Sequence, residues 1–214
     1  MPQDPRRRQK ALMKKRSKQK AASEHRSHQQ ASMSISAQSP IIRRAREFPL
    51  YECWISANWQ KDDLGLVEIV LARQQPDGDI CFGTYLVDKF CLGLKNTFAR
   101  AGFSRTRYHD EVPGKIFHEM KSIQCPVELA HQMIYASIDY AAQFGFTPEK
   151  DYALTQYMLA PRGELEEPYD LTFGRNGKPF FVAGPYDNAT RIIKQLEKTV
   201  GPGNYDYLMA IGDF

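Results

Sequence analysis

No Phe, Tyr or Trp precedes Phe48 in this 214-residue chain, so everything able to build an aromatic-rich core lies from that residue onward. Buried apolar area is what offsets the conformational entropy lost on folding. The leading segment therefore cannot fold alone. The charge changes at the same place. The first 46 residues hold thirteen Lys or Arg against two acids, a net +11, while the other 168 hold sixteen basic and twenty-three acidic residues, a net −7. The overall +4 conceals a cationic arm on an acidic globule. Residues 1–46 are expected to be a disordered basic arm and linker, and residues 47–214 a single domain, since a domain commonly takes roughly 100 to 200 residues.

Between Arg6 and Ala22 the arm contains good helix formers, no Gly or Pro, and only Leu12 and Met13 as bulky apolar side chains. It has helix propensity without a face to bury, and its like charges repel at spacings of three and four. Phosphates would relieve that repulsion and allow folding on binding. Arg6, Arg7, Arg8, Lys10, Lys14, Lys15, Arg16, Lys18 and Lys20 are accordingly the candidate nucleic-acid-binding residues. The expected partner is RNA or a ribosome, with a solubility extension as the plainer alternative. Ser23 to Pro40 reads as a flexible linker, and its His25 and His28 as solvated side chains rather than metal ligands.

No apolar run reaches the roughly 18 residues of a membrane span. Cys53, Cys81, Cys91 and Cys125 form no C-x-x-C pair and sit mostly in apolar runs, which suggests reduced, buried thiols and a cytoplasmic setting.

The globule reads as α+β: an antiparallel sheet built from two β-hairpins and covered by about three helices. Tyr51 to Trp59 is a strand candidate, followed by Leu66 to Arg73 and Ile80 to Asp88 flanking Pro76-Asp77-Gly78. A second hairpin is expected from Leu171 to Ala183 around Asn176-Gly177, with Pro179 on an edge. Pro126 to Phe144 has helical apolar spacing, Asn188 to Val200 is a capped helix, and Tyr205 to Ile211 a closing strand. Phe90 to Ala101, ending at Gly102, also reads as helix, which would make strand–turn–strand–helix occur twice. Leu154 to Leu159 fits either a strand or the tail of a short helix.

Residues 85–96 and 173–187 resemble stretches of a bacterial protein family without an assigned activity. The resemblance spans most of residues 50 to 210 and implies no catalytic residue.

Asp88, at the end of an apolar strand, is the best single candidate for a functional carboxylate. A divalent-metal phosphodiesterase would need further carboxylates converging on it, and Glu68, Glu128, Asp139 and Asp187 are the candidates. Glu128 and His131 form a lone E-x-x-H, read as a helix N-terminus with a solvent-facing His. His109-Asp110-Glu111 and His118-Glu119 read as a polar connection, and Gly174 to Lys178 as a turn rather than a phosphate loop. Ser104 and Ser122 lack a nucleophile elbow. Tyr51, Trp54, Trp59, Phe82, Tyr85, Phe173, Phe180 and Phe181 are expected to fill the core rather than stack bases. Lys95, Arg100, Arg105 and Arg107 make the one local basic cluster on the globule. No cofactor is expected, and the acidic globule is a candidate docking surface for a protein partner.

Overall fold

The Pro76-Asp77-Gly78 segment turns as its residues dictate. In the computed structural model, which describes residues 38–61, 65–117, 121–163, 168–184 and 186–209, Gly78 takes φ +90° and the Gly78 N–H bonds the Gln75 carbonyl at 3.0 Å. The flanking strands are β2 (Leu66–Gln74) and β3 (Ile80–Asp88), and they pair in register from Leu66↔Asp88 to Gln74↔Ile80. With β1 (Leu50–Ser56), β4 (Gly93–Phe103) and β5 (Ser122–Gln124) they form an antiparallel sheet in the order β4-β3-β2-β1-β5. The α-helices that follow β1 are α1 (Arg105–Glu111), α2 (Pro113–Phe117), α3 (Val127–Ala142), α4 (Tyr152–Thr155) and α5 (Ala189–Val200). The fold is α+β.

Strand alternation assigns the two faces. Val67, Ile69, Leu71, Cys81, Tyr85 and Val87 point to one side, where Leu129, Met133, Ile134 and Ile138 of α3 close the main core. Val70, Ala72, Ile80 and Phe82 point to the other, under Tyr108 of α1 and Phe117 of α2. A third cluster joins Cys91, Phe144, Phe181 and Leu196 beneath α5. The strand aromatics Phe82, Tyr85, Phe180 and Phe181 are buried, whereas Tyr51, Trp54, Trp59 and Phe173 are half-buried.

Phe90 to Ala101 is not a helix. Residues 93–103 form the edge strand β4, whose register with β3 shifts twice, between the Ile80 and Phe82 pairings and between those of Leu86 and Val87. The bulges put Leu94, Ala99 and Ala101 on the main-core side and Phe98 and Phe103 on the other. An interrupted period of two does not look like a strand in the sequence. Gly93 shows why the strand must begin there: its φ is +68°, and a Cβ would lie 2.6 Å from the Ser137 carbonyl oxygen of α3.

The second hairpin shrinks to its turn. Asn176 and Gly177 take φ +53° and +75°, the geometry of a two-residue hairpin loop, but only Arg175 and Lys178 bridge. Residues Phe180–Val182 (β6) instead pair in parallel with Asp206–Leu208 (β7), because α5 lies between them in sequence and a helix crossover returns the chain in the same direction. The strand–turn–strand–helix unit therefore does not occur twice: it fails at both helix and hairpin. Residues 210 and 211 of the expected closing strand lie outside the described residues, and Leu154 to Met158 is helical, α4 running into a 3-10 turn at Gln156–Met158 that ends at the extended Leu159. No described helix is long and apolar enough to cross a membrane.

The chain divides into two units, Met1–Pro40 and Ile41–Phe214. Of the first, residues 38–40 are described and are helical. The second begins before the expected boundary at residue 47, since Ile42 and Ala45 are fully buried in the main core. Arg43 and Arg46 belong to this unit, their guanidinium carbons 5.2 and 5.4 Å from the centre of the Tyr157 ring. Arg46 also donates to the Gln156 carbonyl at 2.8 Å. Counted by units, Met1–Pro40 carries ten basic and two acidic residues, and Ile41–Phe214 nineteen and twenty-three.

Polar contacts fasten the 152–160 segment over the main core. Arg73, 9 % exposed, donates to the carbonyls of Met158 and Phe48 at 3.0 and 2.9 Å. The Tyr85 hydroxyl donates to the Thr155 carbonyl at 2.9 Å inside the core. Tyr85→Phe is expected to cost about 1 to 2 kcal/mol in urea denaturation, because that carbonyl loses its donor where water cannot replace it. An unchanged midpoint would show that the bond contributes nothing.

Candidate functional site

The nine basic arm residues from Arg6 to Lys20, with His25 and His28, fall outside the described residues. What can be built atom by atom lies on the globule.

Asp88 ends β3 and is 3 % exposed. Its Oδ1 accepts the backbone N–H of Phe90 at 2.9 Å and of Cys91 at 3.0 Å, closing the turn into β4. Burial pushes its pKa up to about 6, against the lowering effect of those bonds and of the Lys95 ammonium. This carboxylate serves a turn. Asp187, the candidate partner from the loop before α5, instead accepts from Lys95 Nζ at 2.6 Å and from the Gly184 N–H at 2.8 Å. Asp139 takes both its oxygens to Arg162, at 2.6 and 2.8 Å. Glu128 lies in the first turn of α3, where a negative charge suits the helix N-terminus. Glu68 on β2 pairs with Leu86, along the sheet from Asp88. Among the described residues no three His, Cys, Asp or Glu side chains gather in a way that could hold a metal ion. The carboxylates of the phosphodiesterase reading do not converge.

His131 is buried rather than solvent-facing, at 7 % exposure, under the segment that follows Met158. Its Nε2 accepts the Ala160 N–H at 3.3 Å, and burial brings its pKa down to about 4. The side chain is neutral and structural. His109 lies on α1, its Nε2 2.8 Å from the Tyr51 hydroxyl, and Ser104 caps the same helix by accepting the Arg107 N–H. His118 and Glu119 lie outside the described residues.

A cleft of about 330 Å3 opens beside α5, lined by Phe146, Thr147, Tyr186, Asp187, Asn188 and Arg191 among others. Tyr186 is 99 % exposed there. The Asn188 Oδ1 already accepts the Arg191 N–H at 3.1 Å, and Asp187 accepts from Lys95.

The basic cluster comes together in part. Lys95 is held by Asp187 at the far end of β4, but Arg100, Arg105 and Arg107 gather around one group of rings. Phe82 contacts Phe98, Phe103 and Tyr108 with centroids 6.3, 5.1 and 5.7 Å away, and Tyr108 contacts Tyr51 at 5.9 Å. Arg100 lies over Phe98 at 5.4 Å, Arg105 over Tyr51 at 5.7 Å and Arg107 over Phe103 at 4.0 Å. Arg107 is paired with Glu111 at 3.0 Å, whereas Arg100 and Arg105 have no acidic partner among the described residues. A guanidinium held over a ring can offer phosphate the N–H groups that its protein partners leave unused, and Arg100 already gives one to the Ala99 carbonyl at 3.0 Å.

Beneath this patch, Glu52 Oε1, Trp54 Nε1 and Tyr108 Oη are buried without a hydrogen-bond partner among the described residues. Burial, with the nearby Glu52 carboxylate, raises the Tyr108 phenol well above its usual range. The sequence offered the basic cluster and the strand aromatics separately, because their grouping depends on α1 folding back over β1.

No family model, curated protein or solved structure matches the chain.

Proposed function

We propose that the protein is an RNA- or ribonucleoprotein-associated binding protein that attaches through its basic N-terminal arm. The observation that carries this reading is the charge discontinuity: a net +8 over Met1–Pro40 and −4 over Ile41–Phe214. A dense run of cations displaces counterions from a phosphate backbone, a term that gives affinity and leaves sequence unread. An acidic body does not add to that attraction, so the arm must supply it. Arg100, Arg105 and Arg107 on their aromatic rings give the globule a local contact of its own, suited to stacking an unpaired base. Four free cysteines fit a cytoplasmic setting.

The test is ultraviolet crosslinking in cells, with sequencing of nucleic acid recovered on the full chain and on a full-length variant carrying Gln at Arg6, Arg7, Arg8, Lys10, Lys14, Lys15, Arg16, Lys18 and Lys20. Recovery concentrated on particular RNAs and lost in the variant is the expected result. Equal recovery from both chains, or none from either, overturns the reading and turns attention to protein partners of the acidic globule.

A further inference from the structure

Cys53 and Cys125 lie far apart in sequence and side by side in the sheet. Cys53 is on β1, and Cys125 follows β5 directly. The pairing Trp54↔Gln124 continues into them, with the Cys125 N–H bonded to the Cys53 carbonyl at 3.0 Å. Opposed residues at such a hydrogen-bonded position have Cα atoms about 5.5 Å apart, inside the roughly 4.4 to 6.8 Å that a disulfide spans. Their sulfurs are 3.6 Å apart with no bond between them. Bonding requires the two sulfurs to close from 3.6 Å to about 2.05 Å.

The other two thiols provide the contrast. Cys81 and Cys91 are 0 % exposed, Cys81 turns its sulfur to the Arg73 carbonyl at 3.6 Å, and neither makes a sulfur–sulfur hydrogen bond with another cysteine among the described residues. Cys53 is 4 % exposed, while Cys125 is half-buried just past the end of the edge strand. The pair thus has one accessible member and one sheltered member.

We propose that Cys53 and Cys125 are a redox-active dithiol, closed to a disulfide by hydrogen peroxide or another two-electron peroxide. Cys125 is the attacking sulfur. In the resting pair the Cys125 thiol donates to the Cys53 sulfur at 3.6 Å. Once Cys125 is ionised the Cys53 thiol turns to donate to it, which draws the Cys125 pKa down, while that bond and burial keep Cys53 above the usual range. Cys125 also directly precedes the N-terminus of α3, a position that favours a thiolate, against the opposing charge of Glu128. The Cys125 thiolate attacks one peroxide oxygen, the O–O bond breaks, and hydroxide leaves to be protonated. This gives a sulfenic acid at Cys125. The Cys53 sulfur then attacks the Cys125 sulfur as its proton leaves, the S–O bond breaks and a second water departs. Two thiols and one peroxide become one disulfide and two waters.

The bond would act as a clasp on the sheet edge. Three register pairs join β5 to β1, Trp54↔Gln124, Ile55↔Ile123 and Ser56↔Ser122. A disulfide beside them would tie this short strand covalently, and reduction would release it. The proposal stands independently of nucleic-acid binding.

The test treats the reduced full chain, at low concentration, with stoichiometric hydrogen peroxide, blocks remaining thiols with N-ethylmaleimide, and maps peptides without reduction. The expected result is loss of two thiols into an intramolecular Cys53–Cys125 link that dithiothreitol reverses, with Cys81 and Cys91 recovered as thiols. In Cys53→Ser the link should vanish and dimedone should trap a sulfenic acid on Cys125. The near-isosteric Cys125→Ser should leave Cys53 reduced. The proposal is overturned if Cys125 survives peroxide as a thiol, if it oxidises to sulfinic acid with Cys53 untouched, or if the links formed join separate chains or involve Cys81 or Cys91.

Discussion

Full-length protein carrying Gln at Arg6, Arg7, Arg8, Lys10, Lys14, Lys15, Arg16, Lys18 and Lys20 is expected to bind single-stranded RNA about three decades more weakly than the native chain at roughly 50 mM salt. Each phosphate neutralised on a single strand contributes about −0.7 to the slope of log affinity against log salt. Nine cations engaged together therefore set a ceiling near −6 for the arm. The native chain should show a steep slope in fluorescence anisotropy and the variant a shallow one. A chain with Gln at Arg100, Arg105 and Arg107 should behave differently, losing about one decade with a slope smaller by 2 or so. Its larger loss should fall on unpaired bases, since stacking on Arg100/Phe98 and its neighbours is sensitive to strand form. Identical slopes for the native and nine-Gln chains would refute the arm as the attachment.

The second large effect is on stability against pH, where two buried groups oppose each other. Burial raises the folded pKa of Asp88 from 3.8 to about 6. The folded state thus prefers the protonated acid, and this contribution is complete below 3.8 and lost as pH rises through about 6. Burial lowers the folded pKa of His131 from 6.5 to about 4. Its contribution is complete above 6.5 and lost as pH falls through about 4. Each shift corresponds to about 3 kcal/mol, with opposite slopes over the same window, so urea midpoints of the native chain should change little between pH 4 and 6.5 on their account. Asp88→Asn keeps a carbonyl oxygen for the Phe90 and Cys91 N–H groups and removes the buried charge. It should be more stable than the native chain at pH 7.5, by on the order of 1 to 3 kcal/mol, and should lose stability on acidification. His131→Gln keeps an acceptor for the Ala160 N–H and should show the reverse slope. Parallel stability curves for the three proteins would contradict the assignment.

The first hairpin and the two long helices could be read from the sequence because each is fixed by neighbours in the chain. Asp77-Gly78 supplies its own positive φ, Asn188 caps α5 through the Arg191 N–H three residues on, and α3 carries an unbroken apolar stripe from Leu129 to Ala141. The edge strand β4 could not be read so, since its two bulges take effect only against β3, and Leu94 and Ala99 share a face only once that pairing exists. The candidate site divides in the same way. Asp88 stands out in sequence as a carboxylate ending an apolar strand, but its work, capping the turn at Phe90 and Cys91, depends on where the next residues go.

By itself the sequence determined the arm's charge, the place where core-forming residues begin, and the local turns and caps, all properties that a residue carries with it or shares with its near neighbours. Only the tertiary structure decided that Arg43 and Arg46 belong to the globule, that β6 and β7 run parallel, that His131 is buried, that three arginines crown one aromatic cluster, and that Cys53 meets Cys125. Each of these depends on contacts between segments distant along the chain. Spacing in sequence carries no record of such contacts until burial of the shared core brings the segments together.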